Sequence, residues 1–536
     1  MIAKRPKFCG WGYEGDGLTQ EEREMVLGRY AERFGLEGFE NFIDTPSPDQ
    51  VDLHASRIEI PAALADFCSA ANIDRLTHTY GKSFPDYVRI YDKNFTNAPD
   101  IVAYATSEDQ VDAVLDWATS ANVAVIPFGG GSSVVGGIEP AVGSKFAGTL
   151  SLDLTRLNQI LEIDKTSRAA RMQGGIRCPD IENGLRPHGL TMRHFPQSFD
   201  LATLGGMIAT RSGGHFATLY THIDDFVEST RMMTPAGVME SRRLPGSGAG
   251  PSPDRAAIGS EGSLGIITEA WMRLQDRPTF RRSAAVNFET LERAVEAVRQ
   301  LTQSGLFPSN VRLLDRTEAL LNGAGDGEHD VVVLGFESAD HSVDAWMERG
   351  LAICSELGGT YDLEASKAED SNTSGAAGAW RNAFIKMPHF RDALISAAVI
   401  SDTFETAITW DKFHDFHTNV TAATEKVIER ATGRKGIVSC RFTHAYPDGA
   451  APYYTFQAVG RHGALLEQWH EIKSGASDAV IEHGGTITHH HAVGRDHMPW
   501  YERQRPEVFG KALQGAKEKL DPAGILNPGV IVPLAG

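Results

Sequence analysis

Cysteine is scarce in this sequence of 536 residues, and its arrangement excludes two structural classes. The cysteines are odd in number, scattered and without a Cys-x-x-Cys pair, at Cys9, Cys68, Cys178, Cys354 and Cys440. A disulfide framework favours an even number of cysteines, and a zinc ribbon needs paired ones. The sequence therefore predicts a protein of a reducing compartment, and we expect a cytoplasmic location.

Long apolar runs and an excess of basic charge are also missing. No stretch approaches the roughly 18 apolar residues of a membrane-spanning helix, and residues 1–7 carry charge without the apolar region of a secretory signal. Lys and Arg total 51 against 70 Asp and Glu, a formal net charge of −19. Because nucleic-acid phosphates would be repelled, general nucleic-acid binding is excluded. Transient contact with a membrane surface stays compatible with these features.

Two common nucleotide-binding motifs are absent, but a glycine loop is present. Residues 127–137 read Pro-Phe-Gly-Gly-Gly-Ser-Ser-Val-Val-Gly-Gly and follow the apolar run Val123–Ile126. The loop lacks the Gly-Lys-Ser/Thr ending of a P-loop, and no Gly-x-Gly-x-x-Gly opens a helix after it. Closely spaced amides in a glycine turn can bind a pyrophosphate. Taken alone, such a loop is more often an ordinary turn than a cofactor site.

Two later segments make a cofactor-binding role the favoured interpretation of the glycine loop. They are Pro196–Gly206, which reads Pro-Gln-Ser-Phe-Asp-Leu-Ala-Thr-Leu-Gly-Gly, and Gly259–Glu269, which reads Gly-Ser-Glu-Gly-Ser-Leu-Gly-Ile-Ile-Thr-Glu. In this order the three segments resemble the FAD-binding domain of the vanillyl-alcohol-oxidase superfamily, also called the PCMH type. The resemblance implies FAD, and we expect it to be noncovalent because the loop offers no histidine for attachment. The implied cofactor-binding residues are Pro127, Phe128, Gly129, Gly130, Gly131, Ser132, Ser133, Gln197, Ser198, Phe199, Asp200, Leu201, Ala202, Thr203, Thr210, Arg211, Ser212, Gly213, Glu261, Gly262, Ser263, Leu264, Gly265, Ile266 and Ile267.

Length and 41% hydrophobic content suggest about two to four domain-sized units. We predict an α+β fold: a helical N-terminal segment (1–96), a PCMH-type FAD-binding domain (97–279), an α/β cap over the substrate (280–500), and a C-terminal segment (501–536) that returns to the FAD domain. The periodicity predicts a strand near 98–104, a helix after a capping box at 107–110, and repeated strands and helices from 284 to 357. The N-terminal segment is expected to serve packing or contact within a homodimer.

Within that superfamily, the chain resembles the alkyldihydroxyacetonephosphate synthase family most. The segments that carry the resemblance are Gly10–Tyr13, Pro99–Val102, Thr210–Gly213, Arg312–Asp315, Phe404–Thr406, Cys440–Thr443 and Thr488–His491. The family exchanges the acyl group of acyl-dihydroxyacetone phosphate for a fatty alcohol in ether-lipid synthesis, with no net electron leaving the flavin. The resemblance therefore implies a transferase with small-molecule lipid substrates.

Three consecutive histidines follow the apolar and polar run at 484–488. We expect this run to be a strand, which would place His489 and His491 on one face and His490 on the other. A catalytic pocket is the favoured interpretation. A solvent-facing polar run and a metal pair are the alternatives.

The resemblance also implies roles for four further residues. Tyr453 aligns with the family's catalytic tyrosine, which removes a proton from the carbon that bears the acyl ester. A phenol has a pKa of about 10, so nearby cations, from histidines or arginines, would have to stabilise the phenolate. Arg391 aligns with the arginine that binds the substrate phosphate, Arg312 with a second arginine required for activity, and Thr403 with a serine. Without the resemblance, Tyr453 would be assigned to a strand core and each arginine to a surface ion pair.

Two other functions are left open by the residues. Metal-dependent D-2-hydroxy-acid dehydrogenases of the superfamily combine a Gly-Asp-Gly-Asn-Leu-His segment with a Glu-His-Gly segment. Here Asp448–Pro452 and His490–Ala492 stand in their places, so a carboxylate ligand and one histidine are missing. We therefore predict no metal. This weakens the interpretation of the protein as a redox oxidase or dehydrogenase of an alcohol or D-2-hydroxy acid, but does not exclude it. A flavoprotein that has lost catalysis is the third alternative.

Overall fold

The computed structural model of the protein describes residues 6–216, 218–362 and 387–534. Residues 363–386, which fall inside the predicted cap, lie outside the described residues. Helices and strands together form the predicted α+β fold, with three separate hydrogen-bonded sheets of four or more strands. Within the described ranges, no helix has the length and apolar character needed to cross a bilayer.

The first sheet carries the glycine loop. Its strands are β1 (Cys68–Ser69), β2 (Ile101–Tyr104), β3 (Val123–Phe128) and β4 (Gly148–Asp153), in the order β1-β2-β4-β3. β2 and β3 run parallel to β4, so their carboxyl ends share one edge. The helix between them, α4 (Glu108–Ala121), buries the predicted face of Val111, Val114, Leu115 and Ala118. Ser107 caps it, but the Gln110 side chain bonds the Thr106 amide (2.7 Å), so the reciprocal half of the capping box is shifted by one residue.

A second, antiparallel sheet packs beside the first. Its strands are β5 (Ile160–Asp164), β6 (Ala169–Gln173), β8 (Val227–Thr234), β9 (Gly237–Glu240) and β10 (Ile266–Arg273), in the order β5-β6-β10-β8-β9, while β7 (Leu190–Thr191) pairs with β11 (Gln275–Asp276). Three short helices cross this region, namely α5 (Cys178–Leu185), α6 (Leu204–Ala209) and α7 (Asp254–Ala257). Buried aliphatic and methionine side chains of these elements form one core cluster.

The third sheet has seven antiparallel strands. They are β12 (Phe280–Phe288), β13 (Asn310–Leu314), β14 (Asp330–Ser338), β15 (Val399–Glu405), β16 (Ile408–Thr409), β17 (Ile437–Ala445) and β18 (Gly449–Val459), in the order β12-β14-β13-β17-β18-β15, with β16 paired to β18. Its described helices are α8 (Leu291–Gln303), α9 (Arg316–Leu321), α10 (Asp344–Glu356), α11 (Phe390–Ser396), α12 (Phe413–Thr432) and α13 (Leu465–Glu482). The predicted strands and helices between 284 and 357 are confirmed as β12, α8, β14 and α10.

The two ends of the chain pack against these sheets. The N-terminal helices are α1 (Gln20–Arg33), α2 (Asn72–Thr77) and α3 (Phe84–Tyr91), and α3 shares a core cluster with the third sheet. After α14 (Met498–Gln504) and α15 (Glu507–Leu520), the tail pairs with β3 through Val125, whose amide donates to the Ile525 carbonyl (2.8 Å) and whose carbonyl accepts from the Asn527 amide (2.9 Å). Single-turn 3-10 helices lie at Pro48–Gln50, Ala62–Leu64, Arg186–His188, Ile223–Asp225, Met387–His389 and Trp410–Lys412.

Candidate active site

A cavity of about 320 Å³ lies between the glycine loop and the third sheet. The predicted catalytic and substrate residues that line it are Arg312, Arg391, Thr403, Tyr453, His490 and His491. The predicted cofactor residues that line it are Gly129, Gly130, Gly131, Ser132, Ser133, Gln197, Ser198, Ala202, Thr203, Thr210, Ser212 and Gly213. Segments predicted separately from the sequence therefore converge on one cavity.

The glycine loop has no room for side chains. A Cβ on Gly130 would lie 1.7 Å from the Leu201 carbonyl oxygen, and one on Gly129 would lie 2.3 Å from the Thr203 hydroxyl. Gly131 has a φ of +64°, which glycine adopts without the cost of a side chain. The loop thus lies directly against the second predicted segment, and its glycines line the cavity. This close approach fits the pyrophosphate of FAD.

The third predicted segment packs against the start of the glycine loop. Gly262 packs under Pro127, since a Cβ on Gly262 would lie 2.6 Å from the proline Cγ. The buried Glu261 carboxylate accepts the amides of Val493 (2.7 Å) and Gly494 (2.9 Å). Burial raises the pKa of Glu261 to about 7.

The other predicted cofactor-binding residues do not line the cavity. They are Pro127, Phe128, Phe199, Asp200, Leu201, Arg211, Glu261, Gly262, Ser263, Leu264, Gly265, Ile266 and Ile267.

Tyr453 lies at the centre of three adjacent strands. On β18 it is directly opposite Glu405 of β15 and Arg441 of β17. Its hydroxyl donates to the Thr403 hydroxyl (3.0 Å), and the Arg441 guanidinium lies 3.9 Å from the ring centroid. Burial raises the pKa of Tyr453, while Arg441 and the Thr403 hydroxyl oppose that rise. Arg441, which ion-pairs with Glu318, is therefore the cation that favours the phenolate.

The histidine segment is not the strand that the sequence predicts. Its backbone bends around Glu405, whose carboxylate accepts the amides of His489 (2.7 Å), His490 (3.1 Å) and His491 (3.0 Å) and the Thr488 hydroxyl (2.6 Å). Three successive amides cannot converge on one carboxylate from an extended strand, because there they alternate in direction. The buried charge therefore determines the conformation of this segment.

The protonation states of this cluster follow from burial. Burial lowers the pKa of His490 to about 3 and of His491 to about 4, although Glu405 attracts their protons. Burial alone would raise the pKa of Glu405, but electrostatic attraction from His490, His491 and His489, together with the Thr488 hydroxyl, holds that pKa well below its usual value. The three backbone amides that the carboxylate accepts also stabilise its charged form. Of the two kinds of cation expected to stabilise the phenolate, histidine or arginine, the arginine Arg441 is the one that lowers the pKa of Tyr453.

His489 points to a second group of histidines that the sequence did not connect with it. Its Nε2 lies 2.7 Å from the Tyr446 hydroxyl and 3.1 Å from Nε2 of His222, and its Nδ1 lies 3.1 Å from Nδ1 of His490. The Nε2 of His444 is 2.9 Å from the Gly214 carbonyl. The ring nitrogens of His444, His489 and His490 lie within 4.8 Å of one another, a spacing from which they could hold a metal ion.

The two predicted arginines have different surroundings. Arg391 of α11 donates to the Lys82 carbonyl (2.6 Å) and ion-pairs with Asp402 (3.2 Å), and its side chain is 21% exposed. Arg312 of β13 is buried and donates to the His215 carbonyl (2.8 Å). Burial, with a contribution from Arg441, lowers the pKa of Arg312 to about 9. A surface ion pair, the alternative from the sequence, does not describe Arg312.

Several cavity or neighbouring residues were missed as functional candidates. Glu405 and Arg441 occur in the resemblance-bearing segments, so the signal was present without an assigned role. Lys473 donates to the Thr403 carbonyl (2.6 Å), and Lys82 donates to the Gly10 carbonyl (2.8 Å). Both lysines line the cavity. Each lies on a segment far from the glycine loop in sequence, and no local pattern distinguishes either from a surface lysine.

Comparison with known proteins agrees with this geometry. A family described as FAD binding domain matches residues 99–241, and one described as FAD linked oxidases, C-terminal domain, matches residues 277–531. The chain is 30% identical to the alkyldihydroxyacetonephosphate synthase of Dictyostelium discoideum, over 88% of this chain and 79% of that protein. The chain is 29% identical to the alkyldihydroxyacetonephosphate synthase of Trypanosoma brucei brucei, over 86% of this chain and 77% of that protein. A solved alkyldihydroxyacetonephosphate synthase structure has a TM-score of 0.79 at 25% identity and covers 98% of both chains.

The glycine loop and the two matched families define the class of the protein. It is a flavoprotein with a PCMH-type FAD-binding domain, and its cofactor is FAD. Within that class, the chain belongs to the alkyldihydroxyacetonephosphate synthase family.

Proposed function

We propose that the protein exchanges the acyl group of acyl-dihydroxyacetone phosphate for a fatty alcohol, as its relatives' name indicates. The observation that carries the proposal is the convergence of Tyr453, Thr403 and Arg391 with the glycine loop in one cavity. A base, a hydroxyl and a phosphate-binding cation thus lie beside the groups that would hold FAD. An oxidase or dehydrogenase of an alcohol or D-2-hydroxy acid is the competing function.

In this reaction Tyr453 removes the proton next to the substrate ketone. Thr403 orients the phenol through its hydrogen bond, and Arg441 stabilises the phenolate from the ring face. His490 and His491, neutral and adjacent to the Tyr453 ring, can donate or accept hydrogen bonds without adding charge. FAD, when bound, supplies a nucleophilic ring nitrogen, so that exchange needs no external electron acceptor. We assign Arg312, which lines the same cavity, to the residues required for this reaction.

We propose that the histidine cluster works without a metal. Three histidines can hold a catalytic zinc ion, but ring nitrogens of this cluster already contact protein groups: Nε2 of His444 lies 2.9 Å from the Gly214 carbonyl and Nδ1 of His489 lies 3.1 Å from Nδ1 of His490. The Glu405 carboxylate is occupied by backbone amides. Metal analysis of dialysed enzyme tests this. Stoichiometric zinc, cobalt, manganese or iron that is lost together with activity on chelation would contradict it.

Anaerobic exchange tests the proposed function. With no electron acceptor, the FAD-loaded enzyme should exchange the acyl group for an isotopically labelled fatty alcohol over many turnovers. An oxidase cannot do this, because its reduced flavin stops after one cycle. Bleaching of the flavin by an alcohol or D-2-hydroxy acid, without exchange product, would favour the competing function.

We extend the proposal to the protein's surroundings. Lipid-bearing substrates imply transient contact with a membrane surface, and we propose a cytoplasmic homodimer. Light scattering after size-exclusion chromatography measures the oligomeric state, and co-sedimentation with anionic lipid vesicles measures the contact. A monomer at micromolar concentration, or no sedimentation, would contradict the corresponding part.

A further inference from the structure

Tyr87 is a buried polar residue that lines the cavity without a hydrogen-bond partner. It belongs to α3 of the N-terminal segment and is 1% exposed. Its hydroxyl has no partner among the residues that the structure describes, although the residue lines the same cavity as Tyr453 and Arg391. Leaving a buried hydroxyl unsatisfied is costly, so such a group beside a cavity indicates a bound ligand atom.

Two cations flank the Tyr87 ring. The Lys82 ammonium lies 5.9 Å from the ring centroid and the Arg391 guanidinium 5.7 Å from it. In the described part of the chain, Lys82 uses one of its three N–H donors, on the Gly10 carbonyl. Arg391 uses two of its five, on the Lys82 carbonyl and on Asp402. Unused donors of both cations therefore remain near the Tyr87 ring.

The acidic groups around Lys82 do not fully offset the cost of burying its charge. Asp402 pairs with Arg391, and Asp86 and Asp392 interact with Lys82. Burial nevertheless lowers the pKa of Lys82, although Asp392 and Asp86 oppose that fall. A buried cation without a full counter-charge is expensive. An anionic ligand in the cavity would supply that counter-charge.

We propose that Tyr87 and Lys82 bind the phosphate of the substrate, a phosphate monoester dianion, together with Arg391, for which the resemblance already implies this role. The identity of the phosphate ester rests on the proposed function, whereas the arrangement of the three side chains does not depend on that function. The Tyr87 hydroxyl donates to one phosphate oxygen, and Arg391 and Lys82 donate to the others. The N-terminal segment, predicted from sequence to serve packing or dimer contact, thereby supplies part of the substrate site.

Binding of phosphate-bearing and phosphate-free probes tests this site. The change in the flavin absorbance spectrum is followed as FAD-loaded enzyme is titrated with dihydroxyacetone phosphate, inorganic phosphate or dihydroxyacetone. Tyr87→Phe removes one oxygen and keeps the ring, and should weaken dihydroxyacetone phosphate binding by about 10-fold to 100-fold, the value of a hydrogen bond to a charged group. Binding of dihydroxyacetone should not change.

The matched control lies one helical turn away. Tyr91→Phe removes the hydroxyl from the same helix, but Tyr91 contacts Thr45 and the Asp392 carbonyl and is not part of the cavity lining. It should bind all three probes like the wild type. If Tyr87→Phe does not retain FAD, Lys82→Met replaces it, with the same expected loss for the phosphate ester.

The outcomes separate this site from the proposed function. Unchanged affinity for dihydroxyacetone phosphate in the Tyr87 and Lys82 variants overturns the site, even if exchange activity is present. A selective loss supports the site, even if the enzyme proves to be an oxidase. A parallel loss for inorganic phosphate identifies the free anion as sufficient, whereas a loss confined to the ester identifies the substrate's own phosphate.

Discussion

Replacement of Glu405 by glutamine tests whether one buried charge holds the histidine segment in place. The carboxylate accepts four hydrogen-bond donors, the Thr488 hydroxyl and the amides of His489, His490 and His491. Glutamine keeps the shape of the side chain. It removes the charge and turns one acceptor oxygen into an amino group that faces a donor.

The expected cost follows from these bonds. If the amino group replaces Oε2, the His489 amide loses its 2.7 Å contact and becomes a buried donor without an acceptor, at about 1–3 kcal/mol. The bonds to Oε1 change from charged to neutral, and each loses about 1 kcal/mol. Removing a buried charge offsets part of this sum. We expect a net destabilisation of about 3 kcal/mol.

Thermal unfolding of FAD-loaded enzyme, followed by flavin fluorescence and circular dichroism, measures this cost. A unit of 150–250 residues, the size of the predicted cap, loses about 2–4 °C per kcal/mol, so Tm should fall by about 6–12 °C. Turnover should also fall, because the histidine segment moves relative to Tyr453. Thr488→Val, which removes a single donor, should have a smaller effect on both. A glutamine variant within 2 °C of the wild type, with normal turnover, would refute the reasoning.

The pH dependence of this difference gives a second check. The pKa of Glu405 is held below its usual value, so its charge contributes stability above the unfolded-state pKa of about 4.3. That contribution is lost as the pH falls through the folded-state pKa. The Tm difference between wild type and variant should therefore stay constant from about pH 5 to 8 and shrink only in more acidic buffer.

Four further predictions address the cavity. Tyr453→Phe should abolish exchange while FAD content and Tm stay near wild type; turnover above about 10% of wild type would rule out the proposed base. Gly130→Ala should lose FAD, seen as a colourless protein after gel filtration, because its Cβ would lie 1.7 Å from the Leu201 carbonyl oxygen. Acid precipitation should release the flavin from wild-type enzyme, and a yellow pellet would indicate covalent attachment. Arg391→Lys should raise KM more than it lowers kcat, since a point charge replaces a planar fork; an unchanged KM would argue against phosphate binding there.

The sequence by itself determined the cofactor and the kind of fold. Glycine at 129–131 is informative because the physical requirement is local: amides close together and no side chain between them and the ligand. The periodicity of β3, α4 and the later strands is likewise local and predicted these elements correctly. The family could be identified for the same reason, since its segments are short and retain their order.

Only the tertiary structure decided what surrounds the reacting groups. The register of β15, β17 and β18 places Glu405, Arg441 and Tyr453 side by side, although they lie up to 48 residues apart. The sequence predicted a strand at the histidines because it could not show the buried carboxylate that bends it. Tyr87 and Lys82 reach the cavity from the N-terminal segment through packing alone. Burial and long-range pairing set the charge of these groups, and neither is encoded in any local pattern of residues.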